Sequence, residues 1–392
     1  MAAANKVSFM DAVSTVPLIA GILIFLASLI SLRLGFSVAI IEILLGVIAG
    51  NYFGFAAEPW MAYLAGFGGI VLTFLAGAEV DLRLLRAKAK ESLAIGGLSF
   101  LLPLLAGAAF AYFWLHWQLH ASLLAGIALS ANSIAVVYSV LVETGLSRTQ
   151  VGKIIMASTF VTNIGTALAL SIVFFKPDFF TLEFAGASVL IIFLAAKYSD
   201  CLFDSRTYKN KVAESEIKYI FVLLLALTYF ANVAQSQAIL PVFVLGLLMS
   251  PRIASTFDIT NSIKSRLRTV AYALITPFFF IIAGLRASIP LIMSSFGAFA
   301  SLFAIKEVTK LLGAYLPAKR FLPDGQAYIS LLMSTGLTFG TISAVFGMQY
   351  GYIDQSQFSV LIAVELASAI IPTAIAEKWF RPKHSEDVLG RA

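Results

Sequence analysis

Apolar runs of roughly 15–25 residues recur along this chain, near 15–32, 37–53, 60–78, 92–114, 121–142, 151–175, 182–197, 218–233, 237–250, 269–285, 290–316, 327–347 and 357–379. At about 1.5 Å of rise per residue such runs cross about 30 Å of hydrocarbon. None alternates polar with apolar positions, as a barrel strand of about ten residues would. The pattern predicts an all-α membrane protein of about thirteen transmembrane helices. Residues 1–14 lack a small-residue cleavage site, so the first run reads as a retained span rather than a signal peptide.

Composition agrees. Of 392 residues 60% are hydrophobic and 12% charged, and the mean hydropathy is +0.92; a soluble domain carries about 25% charged residues. The single cysteine, Cys201, excludes an internal disulfide. The net charge of +6 does not point to nucleic acid, because the basic residues sit between apolar runs, where they orient a membrane protein.

Those charges test the span count independently. Counting connections from the N-terminus, the odd-numbered ones and the C-terminal tail hold 22 Lys and Arg, from Arg33 and the group Arg83, Arg86, Lys88 and Lys90 through to Lys383 and Arg391. The other side holds 3, Lys6, Lys176 and Arg286. The positive-inside rule then places the N-terminus outside and the C-terminus in the cytoplasm. Residues 1–392 read as one integral membrane transport domain with no soluble regulatory domain, its longest connection being the charged segment near 198–217. Six spans, a linking span at 182–197 and six more suggest inverted repeats over 15–175 and 218–379.

Two spans in corresponding places are polar at their centres. Span 5 contains Ser130-Ala131-Asn132-Ser133, and span 12 contains Ser334-Thr335-Gly336-Leu337-Thr338-Phe339-Gly340-Thr341. Such residues suit an unwound helix, whose freed backbone groups short polar side chains can satisfy; they also suit close helix packing. Span 6 carries Ser158, Thr159, Thr162, Asn163 and Thr166 at a similar depth, oxygens suited to a partly dehydrated monovalent cation. No His, Cys or carboxylate cluster suggests a transition metal, and no cofactor is expected.

A charge at the bilayer centre costs about 2.5–3.5 kcal/mol or more, which makes each one a functional candidate. Lys310 lies deep in span 11, where Glu307, three residues earlier, could neutralise it. Glu365 in span 13 has no opposite charge nearby in sequence, so it is either protonated or paired across helices. Glu42, Glu79 and Asp81 lie nearer the membrane faces.

Four stretches carry a resemblance: 41–50 (IEILLGVIAG), 74–82 (FLAGAEVDL), 279–286 (FFIIAGLR) and 310–313 (KLLG). In this order and spacing the chain is similar to the monovalent cation:proton antiporter superfamily, in its second branch of bacterial Na⁺/H⁺ antiporters and Kef-type K⁺/H⁺ systems. The resemblance implies interleaved core and dimerisation subdomains, a homodimer, and broken spans 5 and 12 that cross near the midplane. It further implies elevator-like exchange of Na⁺ or K⁺ for H⁺, a span-6 aspartate that binds either ion, and a span-11 lysine paired to a span-6 acid in some members. An integral membrane location, in a bacterial or archaeal plasma membrane, follows from the same resemblance.

On that pattern the ion site falls on Asn163, Thr162 and Ser158, with Asn132, Ser133, Thr335 and Thr338 at the breaks, and Lys310, Glu307 and Glu365 as charge-compensating or proton-carrying groups. The chain departs from the pattern at Asn163, where the acid is expected, because an amide cannot ionise. Three explanations stand open: an Asp-to-Asn change that imitates the protonated state, a proton carrier moved to Glu365 or Glu307, and a loss of coupling. The last would leave an uncoupled ion pathway or ion-binding sensor. An organic-anion carrier is a further alternative, disfavoured because no arginine flanks either break. His116, His120 and His384 lie at or beyond span ends, which removes metal-dependent hydrolysis.

Overall fold

The computed structural model describes residues 15–380 except 145, 147–148, 175–178, 205–213, 235, 254–262 and 323–324. Of the charges that orient the chain, Lys6, Arg148, Lys176, Arg206, Lys209, Lys211, Arg381, Lys383 and Arg391 lie outside the described residues, as does His384. No strand occurs among the described residues. Every apolar run has a helical counterpart. Spans 1 to 4 are Val16–Leu34, Val38–Phe53, Pro59–Ala78 and Ala89–Phe113. Span 5 is two half-helices, Leu119–Ser130 and Ile134–Glu143, and span 6 is Gln150–Val173. Spans 7 to 9 are Phe179–Asp204, Ser215–Val233 and Ile239–Ile253. Span 10 runs from Ile263 to Arg286, span 11 is Phe296–Phe321, span 12 splits into Gln326–Met333 and Thr338–Gln349, and span 13 is Gln355–Trp379.

Among the described residues nine helical segments are long and apolar enough to cross a membrane. Val38–Tyr52, Leu119–Ser130 and Ile239–Pro251 are shorter apolar helices. Span 11 has the length but carries Lys306, Glu307 and Lys310 at its centre. Span 7 outruns its apolar stretch, since nothing between Tyr198 and Asp204 breaks a helix, so the charged connection begins later than 198. In span 10, Pro277 has no N–H to give the preceding turn, and the ladder widens into a π segment at Ala271–Ile275.

Local caps fix where the site-bearing helices start. Thr149 accepts the Gly152 N–H at 3.1 Å and opens span 6. Asp354 accepts the Gln357 N–H at 2.8 Å while the Gln357 side chain accepts the Asp354 N–H at 3.0 Å, a capping box that opens span 13.

Glycine sets the helix packing. Gly46 faces the carbonyl of Ile281 and Gly284 the carbonyl of Ile43, bringing spans 2 and 10 together. Gly77 and Gly246 face the carbonyls of Phe243 and Phe74 in the same way, across spans 3 and 9. Each pair joins a span of the first half of the chain to a span of the second. Span 4 packs against spans 5, 6 and 11 through Gly126, Gly96 and Gly313, and span 13 against both halves of span 12. Lipid tails supply no hydrophobic drive between helices, so this close backbone approach carries the packing energy. Gly77→Val therefore lowers stability by about 1–3 kcal/mol, read as a lower melting temperature in detergent; an unchanged melting temperature would contradict the contact.

Candidate functional site

The two interrupted spans meet. Ala131 leaves helical geometry with ψ 152°, and the Ser133 N–H donates to the carbonyl of Thr335 at 2.9 Å, joining one break to the other. Beside that bond Ser133 Oγ and Thr338 Oγ1 are 3.4 Å apart. The half-helix ends are closed by their own hydroxyls: Ser130 donates to Ile127 O at 2.7 Å, Ser334 to Leu331 O at 2.8 Å and Thr335 to Leu332 O at 2.8 Å.

Two lysines of span 11, one turn apart, reach this crossing. Lys310 Nζ donates to the carbonyl of Ser130 at 2.5 Å and to Asn132 Oδ1. Its amino group thus sits at the C-terminal end of a half-helix, where exposed carbonyls concentrate negative potential, and it reaches across to span 5 rather than to Glu307 on its own helix. Lys306 Nζ donates to Glu365 Oε1 at 2.7 Å, and both side chains are 0% exposed. Glu365 Oε2 has no hydrogen-bond partner. Gly336 and Gly340, four residues apart in span 12, face that carboxylate, and any side chain there would strike it. Glu365 is therefore paired across helices, the second of the two readings its isolation in the sequence allowed. Glu307 is half-buried, with Oε1 unpartnered.

Span 6 stays an unbroken helix. Thr159, Thr162 and Thr166 donate to Ile155 O, Thr159 O and Thr162 O at 2.9, 2.8 and 2.9 Å, which leaves their oxygens able to accept or coordinate. Ser158 Oγ and Asn163 Oδ1 are buried without partners. Asn163 and Thr338 line one narrow cleft of about 10 Å³ with Leu72, Leu75, Ala76, Glu79, Ile134, Tyr272 and Phe339. That is room for about one water molecule. Ser158 and Thr162 do not line it.

The structure thus brings Asn132, Ser133, Thr335, Thr338 and Lys310 together at the crossing and Asn163 beside Thr338; Glu307 faces Ser334 at the end of the first half of span 12, near Lys306 and Lys310, while Ser158 and Thr162 stand apart. The sequence reading missed Lys306 as the partner of Glu365. The signal was present, since Lys306 and Lys310 are four apart and share one helix face. Further along spans 3 and 12, which also line the cleft, a cavity of about 250 Å³ runs between spans 3, 8 and 12, lined by neutral residues such as Thr73, Asn232, Gln237 and Gln349.

Crossed half-helices with a buried ion pair against the break define a membrane transporter, not an enzyme. Comparison with known proteins agrees: residues 21–379 match the family described as sodium/hydrogen exchanger, transmembrane, and the chain belongs to that family. A probable Na⁺/H⁺ antiporter 3 of Methanocaldococcus jannaschii is 24% identical over 355 residues, covering 86% of this chain and 89% of the relative. A Na⁺/H⁺ antiporter of Enterococcus hirae is 25% identical over 383 residues, covering 91% and 95%. The structure of the sodium proton antiporter MjNhaP1 from M. jannaschii at pH 8 shares the fold, with TM-score 0.69 at 16% identity over 97% of this chain and 99% of that one.

Proposed function

We propose that this chain is a secondary active transporter that exchanges Na⁺ or K⁺ for H⁺ by elevator-like alternating access, with the Lys306–Glu365 pair carrying the proton. The observation that carries this reading is the position of Glu365: 0% exposed, 2.7 Å from Lys306 and pressed on Gly336 and Gly340 at the break of span 12. A carboxylate buried this deeply is kept only where a counter-charge faces it. A cation that arrives at Glu365 takes over as that counter-charge, and Lys306 leaves the pair by releasing its proton. Cation and proton then occupy the pair alternately, and the pair titrates as a unit.

The neutral groups divide the remaining work. Asn163 and Thr338 offer oxygens to a cation in the cleft, and Lys310 holds the half-helix end and Asn132 in place. Spans 4–6 and 11–13 form the moving core, and spans 1–3 and 8–10 the frame through which two copies associate. The reciprocal glycine contacts of spans 2 with 10 and 3 with 9 support inverted repeats over 15–175 and 218–379. The uneven charge distribution supports an N-terminus outside and a C-terminus in the cytoplasm of a bacterial or archaeal plasma membrane.

In proteoliposomes, with Na⁺ and K⁺ compared across pH, the half-saturating cation concentration falls as pH rises, because protons compete for the same pair. Asn163→Asp adds a second ionisable oxygen to the path and shifts that pH dependence; identical flux before and after the change would remove position 163 from the path. The unpartnered amide oxygen of Asn163 supports a second reading, an uncoupled ion pathway or sensor. That reading requires the chain to collapse an imposed K⁺ potential without moving protons, an outcome a pH-sensitive dye separates from exchange.

A further inference from the structure

The cleft that holds Asn163 has one charged lining residue, Glu79. Glu79 follows the last helical residue of span 3, at the end that the charge distribution assigns to the cytoplasm. A carboxylate at a helix C-terminus lies against the negative end of the helix dipole, so its place there is not explained by helix stability. Its neighbour Asp81 has a structural task, since Asp81 Oδ1 accepts the N–H groups of Arg83 and Leu84 at 2.9 and 3.0 Å. Glu79 has none of that kind. Its side chain is 11% exposed, and Oε1 stands 3.8 Å from Nε of Arg268 on span 10. The Arg268 guanidinium lies 5.9 Å from the ring centroid of Tyr272, which lines the same cleft. Deeper in, Asn163 is 1% exposed and its Oδ1 accepts nothing.

We infer that Glu79 is a specificity-determining residue that captures the monovalent cation on the cytoplasmic side and passes it to the amide oxygen of Asn163, with Arg268 as the tethered cation the ion displaces. Three features set this role. The cleft is too narrow for a hydrated ion, so a cation entering it exchanges water for protein oxygens, and a carboxylate at the mouth offsets that loss. One negative charge in a low-dielectric cleft concentrates cations and repels anions. Arg268, with Lys264 one turn earlier also attracted by Glu79, balances the carboxylate when no ion is present and, being 34% exposed, can swing away without leaving a charge buried.

The inference rests on the cation-exchange reading, and the test separates the two. Cation-driven proton movement is measured in everted membrane vesicles, whose cytoplasmic face is outward, with Na⁺ and K⁺ added outside. Glu79→Gln raises the KM about tenfold, the low end of electrostatic enrichment in a charged cleft, and lowers kcat much less. Glu79→Asp recovers part of the KM, and Arg268→Gln lowers it because the competing guanidinium is gone. A KM within about twofold of the unsubstituted chain in both Glu79→Gln and Arg268→Gln would overturn the role, as would a fall in kcat at constant KM. If the unsubstituted chain moves no protons on cation addition, the exchange reading fails instead.

Discussion

Lys306→Ala destabilises the protein by about 3–5 kcal/mol, the cost of leaving one member of a buried ion pair without its partner. Glu365 is 0% exposed, and its second oxygen already lacks a hydrogen bond, so losing Lys306 removes the one ion-pair contact the carboxylate makes. Thermal unfolding in detergent shows this as a large drop in melting temperature. The double variant Lys306→Met with Glu365→Gln restores most of the loss, since removing both charges removes the desolvation cost along with the attraction. A single variant as stable as the unsubstituted chain would mean that the pair does not exist in the membrane.

The same double variant does not transport. Glu365→Gln keeps the shape of the side chain and its fit against Gly336 and Gly340 but cannot ionise. Exchange of Na⁺ or K⁺ for H⁺ falls to the level of protein-free liposomes, while the helices still pack. Stability and transport thus separate: restoring the first through the double variant leaves the second abolished. Glu365→Asp draws the carboxylate back from Lys306 and retains a measurable fraction of the flux.

Much of this was legible in the sequence, for a reason specific to membranes. In hydrocarbon every backbone polar group must be satisfied inside its own helix, so each span appears as an unbroken apolar run and each interruption stands out against it. Ser130 to Ser133 and Ser334 to Thr341 were visible as interruptions on that ground, and they meet through the Ser133 to Thr335 bond; the second is shorter in the structure, where Thr338 to Thr341 already belong to the next half-helix. Side-chain pairing was less legible. Glu307 is three residues from Lys310 and invited an ion pair on one helix, yet the lysine goes to the carbonyl of Ser130, a backbone dipole that no residue letter announces. Lys306 and Glu365 are 59 residues apart on different spans, and only their packing joins them. Asn163 shows the opposite case: its position was marked by the motif, while its neighbours Glu79 and Tyr272 depend on how span 3 and the π segment of span 10 meet span 6.

Cation binding at Glu365 displaces a proton, and that release is measurable. Purified protein in weakly buffered detergent is titrated with Na⁺ and then K⁺ while a pH indicator reports the solution. Binding of the transported cation releases about one proton per site in the unsubstituted chain, and Glu365→Gln releases none. Cation binding without proton release, or equal release by the Glu365→Gln variant, would contradict that displacement.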